Sequence, residues 1–230
     1  MKMLMKPWKE LPSFMKNDEV KKYYDILSRK RFNLILKRFF DIIMSLILIT
    51  ILSPVILIVS IWIKLDSKGP VFYRQERVTQ YGKIFRIFKF RTMIVDADKI
   101  GTLVTTQNDS RITKVGNKIR KCRIDEIPQL FNILTGDMSF VGTRPEVKKY
   151  VDVYTDEMKA TLLLPAGVTS LASIKYRDED EIIKLETDKG KTIDQAYIEN
   201  VLPDKMKINL DYINCFSFLK DVVLCIQTII

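Results

Sequence analysis

The sequence predicts an α/β chain, mainly α with a few short strands. It is expected to be membrane-associated through an N-terminal re-entrant helix hairpin and amphipathic interfacial helices, with a small cytoplasmic domain behind them. Three observations predict this. Ile42 to Ile63 are 22 consecutive residues without a formal charge, dominated by Ile, Leu and Val, and a helix of that length reaches about 30 Å, the thickness of a bilayer core. Val71-Phe72-Tyr73 and Ile84 to Phe90, separated by Gly82, read as two short strands. The 230 residues are 47% hydrophobic and 29% charged, which suffices for one core and excludes collagen-like, mucin-like and fully disordered chains.

Taken in order, residues 1–20 are polar, Met-rich and interrupted by proline, and are expected to be a mobile tail. Tyr23, Tyr24, Ile26, Leu27, Phe32 and Leu34, mixed with Lys and Arg, suggest a basic amphipathic helix lying on a bilayer. Residues 1–36 therefore form a basic tail and amphipathic segment, 37–66 a membrane helix, and 67–230 the cytoplasmic domain. Within the last, Asp96 to Ser110 reads as loop, while Gly116 to Cys122 and Asp125 to Leu134 read as helices, the second ended by Gly136-Asp137. Residues 146–163 look helical, Pro165-Ala166-Gly167 breaks the chain, and Glu179 to Lys189 is a charged helix. Leu210 to Ile230 is apolar but carries Asp211, Lys220 and Asp221, as an interfacial or packing helix would.

The apolar run fits two topologies. A single span is the plainest. However, Lys37 and Arg38 precede the run and Lys64 and Lys68 follow it, so both flanks carry the basic residues typical of the cytoplasmic side. Ser53-Pro54 falls at its midpoint, where proline removes a backbone donor and crowds the carbonyl of Thr50. Such a helix break lets a helix enter and leave by one face. A secretory signal is not expected, because the run starts about forty residues in and is longer than a signal's apolar core.

The net charge is +10, of which residues 1–40, with eight Lys and three Arg against four acids, hold +7. An anionic partner is expected. Nucleic acid is not, since no nucleic-acid fold signature accompanies the charge. Cys122, Cys215 and Cys225 have no metal spacing and cannot all pair. There is no histidine, which excludes Ser-His-Asp hydrolysis and His-ligated zinc and leaves carboxylates, hydroxyls, thiols and amines to do any chemistry.

Asp125-Glu126 is the pair that stands out. Pro128 belongs in the first turn of a helix, which places both carboxylates at a helix N-terminus, where ionised groups and bound anions are favoured. Arg111, Lys114, Lys118, Arg120, Lys121 and Arg123 gather before the pair, and Arg144 follows it. Acids amid such cations suit a carboxylate that must approach a phosphate, although headgroup contact would also use the cations.

Five ordered runs carry a resemblance: Gly69-Pro70-Val71-Phe72-Tyr73-Arg74-Gln75-Glu76-Arg77, Phe85 to Met93, Arg111 to Gly116, Asp125-Glu126-Ile127-Pro128-Gln129-Leu130-Phe131-Asn132, and Gly136 to Pro145. Together with Lys37 to Asp41 and Ser53-Pro54, they resemble the bacterial sugar transferases that load a polyprenol phosphate, the monotopic phosphoglycosyl transferases. The resemblance covers roughly residues 37–167.

It implies that residues 67–230 are a catalytic domain on the cytoplasmic face of the bacterial inner membrane. Asp125 would attack the sugar-linked phosphate of a UDP-sugar, release UMP and pass the phosphosugar to undecaprenyl phosphate, initiating a surface glycan. Glu126 would assist, and both carboxylates would meet Mg2+. Arg120, Arg144, Arg111, Lys89 and Arg91 are the implied phosphate contacts, Ser53 and Pro54 the helix break, and Lys37 and Arg38 the membrane anchor. The expected partners are UDP-sugar, undecaprenyl phosphate and membrane lipids, with a homodimer left open. The sequence departs from the family at Ser170 and Ser173, at Thr79 and at Arg123-Ile124, and residues 177–208 have no counterpart. A membrane-tethered basic binding or scaffold protein without catalysis is the competing reading.

Overall fold

A computed structural model describes residues 5–97, 109–176 and 179–229. It is mainly helical with two small sheets. Helix α1 is Asp18–Ser28 and α2 is Arg31–Asp66. Strands β1, Phe72–Val78, and β2, Ile84–Phe90, pair antiparallel with Tyr73 opposite Lys89. Helices α3, Lys114–Lys121, and α4, Gln129–Thr135, follow. Strands β3, Met138–Val141, and β4, Ala166–Thr169, form a parallel pair. Between them lies α5, Lys148–Val151. The C-terminal part holds α6, Leu171–Lys175; α7, Glu179–Asp188; α8, Ile193–Ala196; α9, Leu202–Asn214; and α10, Phe218–Ile229.

Several expectations are corrected. Residues 5–16 are not a mobile tail, because Leu11 and Met15 are buried in the main core. Helix α1 buries Val20, Tyr23, Tyr24 and Leu27 in that core, against residues of α9 and of the 3-10 turn Met158–Leu163. Its apolar stripe thus faces protein, since period alone does not say what covers an amphipathic face. Residues 146–163 form a short helix and a 3-10 turn instead of one helix. The expected loop from Asp96 to Ser110 falls mostly outside the described residues, and the last apolar stretch divides into α9 and α10.

Helix α2 is 36 residues long, about 54 Å, and is the one helix among the described residues that is long and apolar enough to cross a membrane. The helix is continuous through Ser53 and Pro54. Pro54 has no N–H for the carbonyl of Thr50, and the Ser53 hydroxyl donates to that carbonyl instead at 2.8 Å. Along its length α2 keeps one face on protein. Leu48, Ile49 and Leu52 pack on Phe85, Ile87, Leu130 and Ile133, and Val59 and Ile63 on Phe90, Val115 and Ile119. Ile47, Ile51, Leu57, Ile58, Ile61 and Leu65 are exposed.

Lys37 and Arg38, the implied membrane anchor, are buried and point inward, because backbone carbonyls within the fold claim them. The Lys37 ammonium donates to the Val141 carbonyl at 2.7 Å and pairs with Asp221 of α10 at 2.5 Å. Arg38 donates to the carbonyls of Ile133 and Leu134 at 2.7 and 2.8 Å, compensating the negative end of α4. At the other end of α2, Asp66 accepts from the Val115 N–H at 3.1 Å, at the start of α3.

Candidate active site

The dyad lies in a turn, not inside the helix that Pro128 suggests. Ile124–Glu126 is a 3-10 turn entered from Arg123, whose φ is +53°, and Pro128 is the cap residue before α4. That turn is fixed from several sides. Asn132 of α4 accepts from the Phe88 N–H at 2.7 Å and donates to the Arg86 carbonyl at 3.1 Å, locking α4 to β2 and setting Lys89 beside the dyad. Gly142 and Gly167 pass so closely that a Cβ on Gly167 would lie 2.2 Å from the Gly142 nitrogen, so no larger residue fits where β3 delivers Arg144. Arg77 donates to the Pro145 carbonyl at 3.2 Å, and the Val78 N–H to the Glu146 carbonyl at 2.9 Å, fastening the loop that carries Arg144.

The two carboxylates have different surroundings. Glu126 Oε1 receives Lys89 Nζ at 2.9 Å and an Arg144 Nη at 2.8 Å. Burial opposes its charge, but Arg144 and Lys89 outweigh burial and hold its pKa at about 2. Asp125 accepts from its own backbone N–H and pairs with no side chain among the described residues. Burial pushes its pKa above the ordinary aspartate value, Glu126 adds to the rise, and Lys89 and Arg120 pull against it. The structure therefore brings together Asp125, Glu126, Lys89, Arg144 and, within charge reach, Arg120.

Arg91 and Arg111 lie elsewhere. Arg91 donates to the carbonyls of Ser67 and Lys68 at 2.7 and 2.8 Å, closing the end of α2. Arg111 is forked onto Asp109 and donates to the Ala97 carbonyl at 2.8 Å.

A cavity of about 950 Å3 opens at this centre, lined by Glu126, Arg123 and Arg144, by Leu48 and Leu52 of α2, and by Tyr176, Glu179, Tyr197 and Lys205. Sequence reasoning missed Arg123 and the wall of Ser173, Tyr176, Glu179, Tyr197 and Lys205 as site residues. The excess of cations before Asp125 was the available signal for Arg123. For the wall the signal was the departure from the family at Ser173 and after it, which does not say that separate helices assemble there.

A model of the family described as bacterial sugar transferase matches residues 32–230. The chain belongs to the bacterial sugar transferase family. A UDP-N-acetylgalactosamine-undecaprenyl-phosphate N-acetylgalactosaminephosphotransferase of Aeromonas hydrophila is 35% identical over 199 residues, covering 84% of this chain and 43% of that protein. A UDP-glucose:undecaprenyl-phosphate glucose-1-phosphate transferase of Escherichia coli is 37% identical over 171 residues, 72% of this chain and 36% of that protein. An undecaprenyl-phosphate galactose phosphotransferase of Salmonella typhimurium is 35% identical over 187 residues, 74% of this chain and 38% of that protein. The chain thus spans less than half the length of each of these relatives, and their names carry three different sugars.

Proposed function

We propose that this sugar transferase moves a sugar 1-phosphate from a UDP-sugar to undecaprenyl phosphate, releasing UMP, as the first step of a bacterial surface glycan. The observation that carries the reading is the division between the carboxylates. Glu126 is held ionised between Lys89 and Arg144, whereas Asp125 stands beside it without a side-chain partner among the described residues and has lone pairs left for phosphorus. Its oxygen forms a bond to the sugar-linked phosphorus as the bond from that phosphorus to the UMP oxygen breaks, leaving a phosphosugar on Asp125. An oxygen of undecaprenyl phosphate then attacks the same phosphorus, and the aspartate leaves as carboxylate. Arg144, Lys89 and Arg120 offset the charge of two anionic reactants.

The donor set suits Mg2+. Among the described residues no three His, Cys, Asp or Glu cluster to hold a metal, and two adjacent carboxylates match an ion that takes most of its ligands from phosphates and water. Asp125 and Glu126 would hold it, and it would neutralise phosphate charge.

The membrane reading is a re-entrant α2 with the domain on the cytoplasmic face of the inner membrane. It is supported by the bonding of both ends of the helix to the same catalytic unit, through Lys37 and Arg38 at one end and Asp66 at the other, because a spanning helix carries its ends to opposite faces. Cysteine accessibility at residue 2 and at Lys68 tests it, and labelling from opposite sides would establish a single span instead.

The activity is tested with purified protein, undecaprenyl phosphate, Mg2+ and a panel of UDP-sugars, scored for UMP release and for label from the sugar phosphate trapped on Asp125. Absence of UMP with every donor would reject transfer in favour of a tether or scaffold.

A further inference from the structure

The cavity changes character around its lining. The side given by α2, β3 and β4 is apolar, with Leu48, Leu52, Phe140 and Val168, and the centre carries Glu126, Arg123 and Arg144. Ser173, Tyr176, Glu179 and Asp180 add a polar side. Its volume, about 950 Å3, is at the upper end for a single ligand, enough for a nucleotide sugar beside the head of a lipid phosphate.

We propose that Ser173, Tyr176, Glu179 and Asp180 form the subsite for the sugar ring of the donor and decide which sugar is transferred, an inference that rests on the reading of the donor as a UDP-sugar. Charge decides the orientation. Two carboxylates repel a diphosphate, which belongs with Arg144 and Arg123, but they accept hydrogen bonds from hydroxyl pairs, and an aromatic ring covers the C–H face of a pyranose. The apolar side by α2 suits the polyprenyl chain, leaving the polar wall for the sugar.

The wall is built, and it is tied to the catalytic centre. Lys205, only 7% exposed, pairs with Glu179 at 2.9 Å and reaches the Tyr197 hydroxyl at 3.4 Å. Tyr197 donates to buried Glu146 at 2.6 Å, and Glu146 is two residues from Arg144. Tyr197 opens a π-helical turn, Tyr197–Val201, an irregularity frequent at functional sites. Glu179 lies close enough to Arg144 to help raise its pKa against the opposing effect of burial. Relatives at 35 to 37% identity are named for different sugars, so the shared scaffold does not fix that choice.

The test compares wild type, Asp180→Asn and Ser173→Ala with UDP-glucose, UDP-galactose and their two N-acetylamino counterparts, measuring kcat, KM and the inhibition constant of UMP. Asp180 is exposed and makes no hydrogen bond or ion pair with the described residues, so its amide variant is expected to fold. For Asp180→Asn, kcat/KM for the preferred donor should fall about tenfold, mainly through KM, and the preference over the next donor should change at least about fivefold. UMP inhibition should stay within about twofold. A weakened UMP with unchanged sugar preference would assign the wall to the nucleoside and overturn the proposal, as would no change in any constant. Absence of UMP release from every donor in wild type is a different failure, visible before any variant is made, and it removes the donor reading together with the subsite.

Discussion

The two groups of residues that line the cavity, one from β1 to Glu146 that includes Arg123, Glu126 and Arg144, the other from α6 to α9 that includes Ser173, Tyr176, Glu179, Tyr197 and Lys205, are held in different ways. The first region is clamped through its backbone: Asn132 joins α4 to β2, Gly142 lies against Gly167, and Arg77 and Val78 bind the carbonyls of Pro145 and Glu146. The second is a set of short helices joined by side chains, Glu146 to Tyr197 to Lys205 to Glu179. Backbone clamps hold reacting groups where a bond must form within a fraction of an ångström. Side-chain links let a wall change its residues without moving Asp125. On the proposed reading the chemistry belongs to the first region and the choice of sugar to the second.

The largest expected effect lies within the first region. Asp125→Asn should abolish turnover, by at least about a thousandfold, and the trapped phosphosugar with it. Thermal unfolding should be unchanged or slightly raised, because this carboxylate is desolvated and has no partner to lose. Glu126→Gln should also impair turnover, but with a loss of about 2 kcal/mol of stability, since Lys89 and Arg144 would then face a neutral amide. Unfolding curves of the two variants decide between these roles, and equal destabilisation would erase the distinction between nucleophile and anchor.

Next in size is Arg120. If it meets the substrate phosphate through charge reach over Asp125, Arg120→Ala should cost about thirtyfold in kcat/KM, with Lys restoring only part because an ammonium lacks the planar fork. Full rescue by Lys would leave Arg144 as the phosphate contact.

A further effect is on stability against pH. The pKa of Glu126 is lowered from 4.5 to about 2 in the fold, so its stabilisation is present above pH 4.5 and is lost as pH falls towards 2. It amounts to on the order of 3 kcal/mol at neutral pH. Denaturant midpoints between pH 6 and pH 3 should fall less in Glu126→Gln than in wild type. Parallel curves would show that the two cations do not hold this carboxylate.

The motif order placed Asp125, Glu126, Lys89, Arg91, Arg111, Arg120 and Arg144 in one candidate site; in the structure Arg91 bonds to the carbonyls of Ser67 and Lys68, and Arg111 to the Asp109 carboxylate and the Ala97 carbonyl. Both strands of the hairpin were legible, because β-rich residues around Gly82 mark them locally. The parallel pair β3 and β4 was not: four residues in each strand carry too little pattern, and the partners lie 28 residues apart. The inward turn of Lys37 and Arg38 was equally hidden. Their acceptors are backbone carbonyls about a hundred residues away, and every residue has a carbonyl.

By itself the sequence determined the membrane-length apolar helix, the absence of histidine chemistry, the hairpin and the motif residues, because each depends on composition or on neighbours along the chain. Only the tertiary structure decided which carboxylate is clamped by cations and which has no side-chain partner, that Leu11, Met15 and α1 contribute to the core, and that Ser173, Tyr176, Glu179, Tyr197 and Lys205 wall the cavity. Those outcomes depend on distances between side chains remote in sequence, where burial and a cation within 3 Å outweigh any local preference.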